Sequence, residues 1–481
     1  MTAALQVRTP WVGVIAPGLL AISLAGCASF SPDAGMDAVS GIAAAELRKD
    51  AFKIDSDAAA AEAHQRTARL LKRPLSVETA VQIALLNNRG LQAAYNELGI
   101  SEAQFVAATL PPSPRLSVTP LFGPSFLEVD GSIATDLIAL ITLPARMEIA
   151  EARFRQAQLR AAGATLRLAA ETRRAYFRAV ADAALVGVLE KARLTAEVAS
   201  NLAKRLGETG ALSKLDQARE HAFYADISVQ LAQARLRQRT DRERLTRLMG
   251  LWGTDIEYRL PSSLPALPRQ PRTTGAIEAL ALTRRIDLRI AALETEALAR
   301  RLGLTQATRF VTTLELGGAA RYERTASETL RGRGFEAQVA IPIFDLGETR
   351  LREAQEQYMR AVNQLAERAV NIRSEARAAY QGYRGSYDIA RHYQAQVLPL
   401  RQVVTDEAQL RYNGMLADLF QLLADTREQI NSNVAAIEAQ RDFFIAATDL
   451  STALIGGGAT QADMGAGSSR TPANAGAGSE Q

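Results

Sequence analysis

The sequence predicts a mainly α-helical chain with a few strands, in which one plan of helix, strand pair, long helix, turn and helix occurs twice. Three observations predict this fold. Hydrophobic residues make up 47% of the chain but aromatic residues only 6%, so alanine and leucine, the strongest helix formers, carry the apolar content. Two stretches place apolar residues in alternating steps of four and three, the coiled-coil period. Segments of the first half also align with segments of the second.

The chain begins with the layout of a secretory signal. Arg8 gives the first ten residues a positive charge, and an apolar stretch from Trp11 to Ala25 ends in small residues. A membrane-spanning helix needs about 20 apolar residues, so this shorter stretch predicts a cleaved signal over residues 1–26. The following Cys27 is the only cysteine of the chain. A single cysteine forms neither an intramolecular disulfide nor a structural zinc site, so its position must explain it.

The four residues that end at Cys27 resemble the bacterial lipobox. In that motif the cysteine receives a covalent lipid and becomes the first residue of the mature protein. Ala28 and Ser29 follow Cys27, where lipoproteins retained at the inner membrane carry an aspartate, so the resemblance implies the outer membrane. The alternative is an ordinary signal with an incidental cysteine. Residues 27–74 are expected to form an N-terminal tether between the lipid and the helical body.

A Pro-rich linker over residues 251–274 divides the rest of the chain into two repeats, 75–250 and 275–456. Glu78–Tyr95 aligns with Gly275–Ala292. Further on, "TGALSKLDQ" from Thr209 aligns with "NGMLADLFQ" from Asn413. A self-similar sequence indicates that both halves form the same structural unit. Residues 457–481 are small and polar, and we expect them to be disordered.

The long helices reveal their packing through their periodicity. From Ala145 to Leu206 the only helix breakers are isolated glycines, and a helix of that length measures on the order of 90 Å, more than a globular core requires. In the second repeat we expect Pro399 to kink the helix, because proline removes a backbone hydrogen bond. The first seam comprises Leu185, Leu189, Ala192, Ala196, Ala199, Ala203 and Leu206, and the second Leu351, Ala354, Tyr358, Ala361, Leu365, Ala369, Ile372 and Ala376.

Strand pairs are predicted at about 115–143 and about 310–344. In the second pair Phe335, Ala337, Val339, Ile341 and Ile343 share one face, with polar residues opposite. In the first pair the alternation is weaker: Leu116–Thr119 and Ser132–Leu143 are predicted as strands, joined by a loop. This period suits a strand between lipid and water, and equally a soluble sheet with one solvated face. Four strands do not close a membrane barrel, so membrane strands would have to be pooled from several chains.

The sequence also excludes several classes of function. Walker A, GxSxG, HExxH and CxxC motifs are absent, and His64, His221 and His392 are widely separated, so no enzyme, no catalytic residue and no metal site is predicted. The net charge of +4 arises from 56 basic and 52 acidic residues, without the basic, aromatic-rich patch of a nucleic-acid-binding protein. After the signal, no apolar run is long enough for a transmembrane helix.

Taken in order, the signal, the lipobox, the duplicated plan and two Gly-containing turns resemble the outer membrane factor family, the TolC-like channels. Leu75–Ser117 resembles the family's first helix up to its first strand, and Val339–Gln355 resembles the descent from the last strand into the long helix. The resemblance covers residues 75–456. It implies a fold that is mainly α with membrane β: a homotrimer whose 12-stranded β-barrel in the cell outer membrane continues as a 12-helix α-barrel in the periplasm.

The resemblance also implies two sites at the helical turns. The family docks a periplasmic adaptor, or membrane fusion protein, through these turns, and charged residues beside them close the periplasmic aperture. The alternatives are that the glycines only permit the chain reversal and that the charges belong to a solvated helix end. The adaptor-docking residues are Gly210, Ala211, Leu212, Gly414, Met415 and Leu416, and the aperture residues are Asp216, Arg411, Tyr412 and Asp418.

The function implied is that of a passive exit duct in a tripartite efflux system. An inner-membrane pump, expected to be of the RND type, would deliver small molecules or metal ions through the adaptor. The chain needs no cofactor beyond the covalent lipid on Cys27. The alternatives are the outer membrane channel of type I protein secretion, a periplasmic adaptor lipoprotein and a structural coiled-coil lipoprotein. An adaptor would show one helical hairpin flanked by the halves of a lipoyl-like β-domain.

Overall fold

A computed structural model describes residues 30–273, 275–416 and 419–456 of the chain. Cys27, Asp418 and the predicted tail of residues 457–481 lie outside the described residues. The described part is mainly helical, with one small sheet. Its helices are α1 (Asp37–Leu47), α2 (Asp57–Leu71), α3 (Val77–Asn87), α4 (Arg89–Thr109), α5 (Leu137–Ile141), α6 (Leu143–Glu208), α7 (Lys214–Met249), α8 (Ile277–Arg284), α9 (Ile286–Ala307), α10 (Glu348–His392), α11 (Leu398–Asn413) and α12 (Leu419–Ile455).

The strands form a single antiparallel sheet in the order β1-β2-β3-β4. They are β1 (Arg115–Gly123), β2 (Phe126–Asp136), β3 (Thr313–Thr325) and β4 (Thr329–Ala340). The chain divides into two compact units, and the sheet belongs to the first. The first unit comprises the segment that ends at Gly35 with Gly99–Arg155 and Glu294–Met359, and the second comprises Met36–Leu98, Gln156–Leu293 and the residues from Arg360.

The helix expected at the start of each repeat is two helices in the structure, and the break occurs at the same aligned position. Asn88 follows α3 with ψ 113°, and Arg285 follows α8 with ψ 122°. Both values are extended, which ends a helix. Asn88 accepts a hydrogen bond from the Leu91 N–H at 3.0 Å, as an N-cap side chain does. The two repeats therefore share a structural detail that their periodicity does not reveal.

Two helices occupy most of the segment that the sequence predicts as a tether. Helix α1 buries Val39, Ala43 and Leu47, and α2 buries Ala63. The backbone between these helices is also held, because the Ile54 N–H donates to Gln92 Oε1 at 2.8 Å. The tether prediction is therefore wrong from residue 36 onward: this segment packs as part of the second unit, since its apolar residues recur at helical spacing.

The long helices pack along the predicted seams. Helix α6 is continuous over 66 residues, and its Leu189 lies in one apolar cluster with Leu231 and Ala234 of α7. Val434 of α12 packs against the same cluster. Buried alanines allow the close helix approach that this small-residue seam requires. The buried members of the first seam are Leu185, Leu189, Ala192, Ala196, Ala199 and Ala203, and those of the second are Leu351, Ala354, Ala361, Ile372 and Ala376.

Pro399 is accommodated by a change of helix type. Helix α10 passes into a π-helical turn over Tyr393–Val397, and α11 follows with Pro399 in its first turn. Proline donates no backbone hydrogen bond and its ring crowds the carbonyl four residues earlier, here that of Ala395. A π-helical turn widens the backbone at that carbonyl. The irregularity predicted at Pro399 thus appears just upstream of it.

The strand boundaries correct three predictions. The loop expected between Thr119 and Ser132 is only the turn Pro124–Ser125, since β1 and β2 continue to Gly123 and from Phe126. The strand expected up to Leu143 ends at Asp136, whose side chain caps α5 by accepting the Ile138 N–H at 2.9 Å. Likewise β4 ends at Ala340, because Pro342 donates no hydrogen bond to a strand ladder. Ile341 and Ile343 therefore lie beyond the sheet.

None of the described helices combines the length and the apolar character that crossing a membrane requires.

Candidate functional site

The four-stranded sheet has one apolar face, which is exposed. Its register pairs Leu116 with Ile133 and Leu314 with Val339, and residues two apart on a strand share a face. Phe335 on this face is 89% exposed. Large apolar side chains gathered on one exposed surface mark a contact with lipid or with another chain. The exposed apolar residues of this face are Leu116, Val118, Phe122, Ile133, Leu316, Phe335 and Val339.

The opposite face of the sheet is polar and concave. Arg321 Nε lies 2.8 Å from Asp130 Oδ1, and Arg115 Nη1 lies 2.7 Å from Glu315 Oε2. The first pair links the neighbouring strands β2 and β3, and the second links β1 to β3 across β2. A concavity of about 430 Å³ lies on the sheet. The residues of the polar face that line it include Ser117, Thr119, Asp130, Ser132, Arg321 and Glu336.

The two faces bear on the two interpretations of the strand pattern. A soluble sheet with one solvated face packs its apolar face onto a core, but here the apolar face is exposed as well as the polar one. The edges β1 and β4 each pair with a single described strand. An open sheet edge is not tolerated in lipid. In a single chain, the two edge strands therefore have backbone groups without a strand partner. The chemistry of the two faces favours lipid on the apolar face and water on the polar face.

The first helical turn, between α6 and α7, closes around Gly210. Gly210 has φ +76°, and the Ala211 N–H donates to the Leu206 carbonyl at 2.9 Å. This is the hydrogen bond of a Schellman motif, in which a left-handed residue ends the helix. Ser213 then caps α7 by accepting the Asp216 N–H at 3.2 Å. The left-handed backbone conformation at position 210 therefore explains the glycine of this turn.

The second turn, after α11, uses a different residue for the same reversal. The Leu416 N–H donates to the Arg411 carbonyl at 2.8 Å, but the left-handed residue is Met415, with φ 58°. Gly414 has φ −84°, which any residue adopts. The two turns are offset by one position relative to their sequence alignment. The alternative that both glycines only permit the chain reversal through positive φ therefore does not hold for Gly414.

The predicted docking residues form an exposed apolar end on each hairpin. Met415 is 94% and Leu416 is 82% exposed. On the first hairpin, Gly210 and Ala211 are exposed and Leu212 is half-buried. Exposed large apolar side chains at a helix tip favour a protein contact over a solvated turn.

The predicted aperture residues do not form one network within a single chain. Asp216 accepts from Ser213 Oγ at 2.7 Å and from Arg219 Nη1 at 3.1 Å, so it serves its own helix. Within the described residues, Arg411 and Tyr412 form no ion pair with Asp216. Asp418 falls outside the described part.

A buried ion pair that the sequence did not single out joins the two hairpins. Arg427 Nη2 of α12 lies 2.9 Å from Glu220 Oε1 of α7, and the Glu220 side chain is only 3% exposed. The Arg427 guanidinium also lies 4.1 Å from the centre of the Phe223 ring. Glu220 Oε2 and Arg427 Nε have no partner. Glu220 lies one turn beyond the predicted Asp216, but its burial was not readable from a charge-rich sequence.

A second buried acid lies in the body of the same helices. Asp182 of α6 is 5% exposed, and its Oδ2 has no hydrogen-bond partner. The pKa of Asp182 is raised to about 6, chiefly by burial and then by the hydrogen bond and charge of Asp241, while Arg237 and Arg441 oppose the change. Desolvation disfavours the charged form of an acid.

The described residues contain no group of three or more His, Cys, Asp or Glu side chains placed to hold a metal ion. His221 contacts Ser200 through Nδ1, so its packing joins α6 to α7. His64 lies 3.9 Å from Asp255.

Comparison with solved structures shows the fold of this chain. No family model matches the sequence, and no curated protein sequence matches it. A structure of CusC, described in terms of transmembrane channel formation, matches with TM-score 0.66 at 16% identity and covers 79% of this chain and 91% of CusC.

Two further channels match over a similar extent. The outer-membrane channel OprN has TM-score 0.62 and 19% identity over 95% of this chain and 99% of its own. The CmeC outer membrane channel of Campylobacter jejuni has TM-score 0.63 and 17% identity over 81% of this chain and 88% of its own. The chain has the fold of the TolC-like outer membrane channels, which confirms the predicted mainly helical class with a few strands, while the homotrimer and its barrels stay predictions.

Proposed function

We propose that this chain is an outer membrane channel of the TolC-like type and acts as the passive exit duct of a tripartite efflux system. The observation that carries the proposal is the four-stranded sheet with an exposed apolar face, a concave polar face and two open edges. Three such sheets supply 12 strands, and a closed barrel removes every open edge. The homotrimer places the apolar faces in lipid and the polar faces around water.

The fold supports this proposal over the adaptor alternative. The structure contains two long helical hairpins, α6 with α7 and α10–α11 with α12, and a strand pair precedes each. An adaptor lipoprotein would carry one hairpin inside a lipoyl-like β-domain. The solved structures that match are described as channels. A purely structural coiled-coil lipoprotein would have no use for an amphipathic sheet.

The partners follow from the same proposal. The exposed apolar tips around Gly210 and Met415 dock the hairpins of a periplasmic adaptor, which links the duct to an inner-membrane pump of the RND type. Asp216 lies in the first turn of α7, and Arg411 and Tyr412 lie in the last turn of α11. In the proposed trimer these residues, together with Asp418, close the aperture between chains. Cys27 carries a lipid that anchors the mature chain in the outer membrane. No enzymatic activity and no cofactor are proposed.

Conductance across a planar bilayer tests the proposal. The full-length protein purified from outer membranes is expected to migrate as a heat-modifiable oligomer and to open single channels. A monomer that remains soluble after removal of the lipid, without conductance, would contradict the channel function. Deleting the gene should then raise sensitivity to small-molecule drugs or to copper, zinc, cobalt or silver. Unchanged sensitivity throughout the panel would favour the type I protein secretion alternative.

A further inference from the structure

Three arginines interrupt the apolar face of the sheet beside its two turns. The register pairs Leu127 with Arg324, Arg331 with Tyr322, and Arg333 with Ala320. The apolar face includes Leu127, Tyr322 and Ala320. Residues paired on neighbouring strands share a face, so the three arginines lie on the apolar face as well. Arg324, Arg331 and Arg333 are all exposed. We call this group the arginine rim.

The arginine rim is the charged part of an otherwise uncharged surface. From these arginines to Leu314 and Val339, the described residues of the apolar face carry no charge. The nearby strand acids, Glu128, Asp130 and Glu323, pair across the polar face, and Glu328 lies in the β3–β4 turn. The rim therefore concentrates positive charge on one face at one end of the sheet.

At the same level the polar face is mixed. Leu121 and Leu330 are 54% and 51% exposed there, and Glu128 and Glu323 lie between them in the register. The apolar face, by contrast, changes from apolar side chains to arginines. Such a change is expected at the boundary between lipid and a polar layer.

The height of the rim matches that boundary. Ten residues separate Leu314 from Arg324 on β3, which corresponds to about 33 Å along a strand. With a strand tilt of about 40°, this becomes a height of about 25 Å, the height of the apolar band of an outer membrane barrel. The Arg331 guanidinium lies 5.8 Å from the centre of the Tyr322 ring, and tyrosine is typical of this interface.

The rim faces outward if the proposed function is correct. Helices precede β1 and β3 and follow β2 and β4, so they join the sheet at the end away from its two turns. In the channel the helices extend into the periplasm. The turns and the arginine rim then lie at the outer leaflet, which in an outer membrane is built from phosphorylated glycolipid.

We propose that the arginine rim binds the phosphate groups of lipid A in the outer leaflet. This inference rests on the proposed function, because it needs the apolar face to lie in the outer membrane. A guanidinium offers a planar fork of donors that matches a phosphate, and it binds phosphate in two parallel hydrogen bonds. Long arginine side chains also reach along the apolar surface to a polar layer, as Arg333 must.

Native mass spectrometry of the full-length trimer with added diphosphoryl lipid A tests the rim. The wild-type trimer is expected to retain lipid A. Replacing Arg324, Arg331 and Arg333 together by glutamine should weaken binding on the order of 100-fold, from roughly 5-fold for each arginine near an anionic lipid surface. Replacing the same three by lysine should retain most of the affinity, because the charge remains. Equal binding by the glutamine variant would overturn the proposal.

Two controls locate the effect and identify the lipid. The double variant Arg321→Gln with Asp130→Asn removes an ion pair at the same level on the polar face, and it should bind lipid A as the wild type does. An equal loss in this variant would show that the rim is not the site. Phosphatidylglycerol is expected to bind more weakly than diphosphoryl lipid A. Equally tight binding of phosphatidylglycerol would overturn the assignment to lipid A.

These measurements distinguish an error in the arginine-rim proposal from an error in the proposed channel function. Heat-modifiable migration and conductance are measured first on the wild type and on each variant. A wild type without conductance contradicts the proposed function. A conducting trimer whose glutamine variant binds lipid A unchanged contradicts only the arginine rim.

Discussion

At the residue scale, the two turns show that aligned residues need not adopt the same backbone conformation. Gly210 adopts φ +76°, whereas the aligned Gly414 has φ −84° and Met415 takes the left-handed conformation instead. A Cβ at Gly414 would lie 3.5 Å from the Leu410 carbonyl oxygen, which is ordinary contact. The chain itself therefore gives no reason for a glycine at 414. The proposed docking of a partner supplies one, because glycine allows a close approach of another backbone.

The variant Gly414→Ala separates docking from folding. We expect its stability to match that of the wild type, because the backbone and the space at 414 both accept a Cβ. Binding to the hairpin of a periplasmic adaptor, measured by surface plasmon resonance, should fall on the order of 10-fold. The control Gly210→Ala should instead lower the free energy of unfolding by about 1 kcal/mol, since alanine disfavours positive φ. Unchanged adaptor binding by Gly414→Ala would contradict docking at this turn.

Asp182 predicts a pH dependence of stability. Its pKa of about 6 lies above the ordinary value of 3.8, chiefly because of burial. The folded state therefore binds more protons than the unfolded state between these values, so Asp182 lowers stability as the pH rises through this window. Asp182→Asn should raise the free energy of unfolding at pH 7 by about 1–3 kcal/mol, and the gain should vanish near pH 4. Urea titrations at both pH values measure it, and an equal gain at both would refute the assignment.

At the element scale, the hairpins are held together by more than their apolar seams. The Glu220–Arg427 pair links α7 to α12, next to the cluster of Ala192, Ile227 and Ile430. The pair is buried, and two of its polar atoms have no partner. Such a pair is costly to break from one side only, because a charge is then left buried and unpaired.

The double substitution at this pair should be milder than a single one. Glu220→Leu alone is expected to lower the free energy of unfolding by less than the about 3–5 kcal/mol of a fully buried pair, since the half-buried Arg427 loses its acid but keeps access to water. Glu220→Leu with Arg427→Met should recover most of that loss. Chemical denaturation of the four members of this double-mutant cycle measures the coupling. Additive losses would show that the two side chains act independently.

At the scale of the whole molecule, the sheet links a single chain to its assembly. Successive side chains of β1 point to the apolar and the polar face in turn, so substitutions at neighbouring positions test opposite environments. Val118 lies on the apolar face and is 61% exposed, and Thr119 lines the polar concavity. Few other positions offer so closely matched a comparison.

A lysine should be tolerated on one face only. Val118→Lys is expected to impair insertion and trimer formation, because a lysine facing lipid is unfavourable. The cost should be below the about 2–4 kcal/mol of the membrane midplane, since Val118 lies on the register row of Arg333. Thr119→Lys should leave the oligomer intact, since its side chain faces water. Heat-modifiable migration of outer membrane fractions distinguishes the two variants. Equal tolerance of both lysines would argue against lipid on the apolar face.

The lipid on Cys27 should be dispensable for assembly. If 12 strands hold the trimer in the membrane, the anchor only supplements them. Cys27→Ala with a conventional cleavable signal is expected to form a trimer and to conduct in planar bilayers. A soluble, non-conducting monomer from this variant would contradict the barrel.

The sequence predicted the plan of the fold because its periods are strong. Ala192 and Ala196 fall on a coiled-coil seam and are buried, and Phe335 and Val339 fall on one face of a strand and share it in the structure. Predictions failed where a single residue interrupts a period. Asp136 starts a helix by capping it, Asn88 and Arg285 break one, and Pro120 and Gly131 hide the alternation of β1 and β2.

By itself, the sequence determined the helical class, the duplication, the seams and the approximate places of strands and turns, because local propensity and periodicity encode them. Only the tertiary structure decided which residues act together. It brought Glu220 to Arg427 across two repeats, set Arg331 and Arg333 on the apolar face, and moved the left-handed residue of the second turn to Met415. Such pairings depend on strand register and helix rotation, which are fixed by packing between segments far apart in the chain.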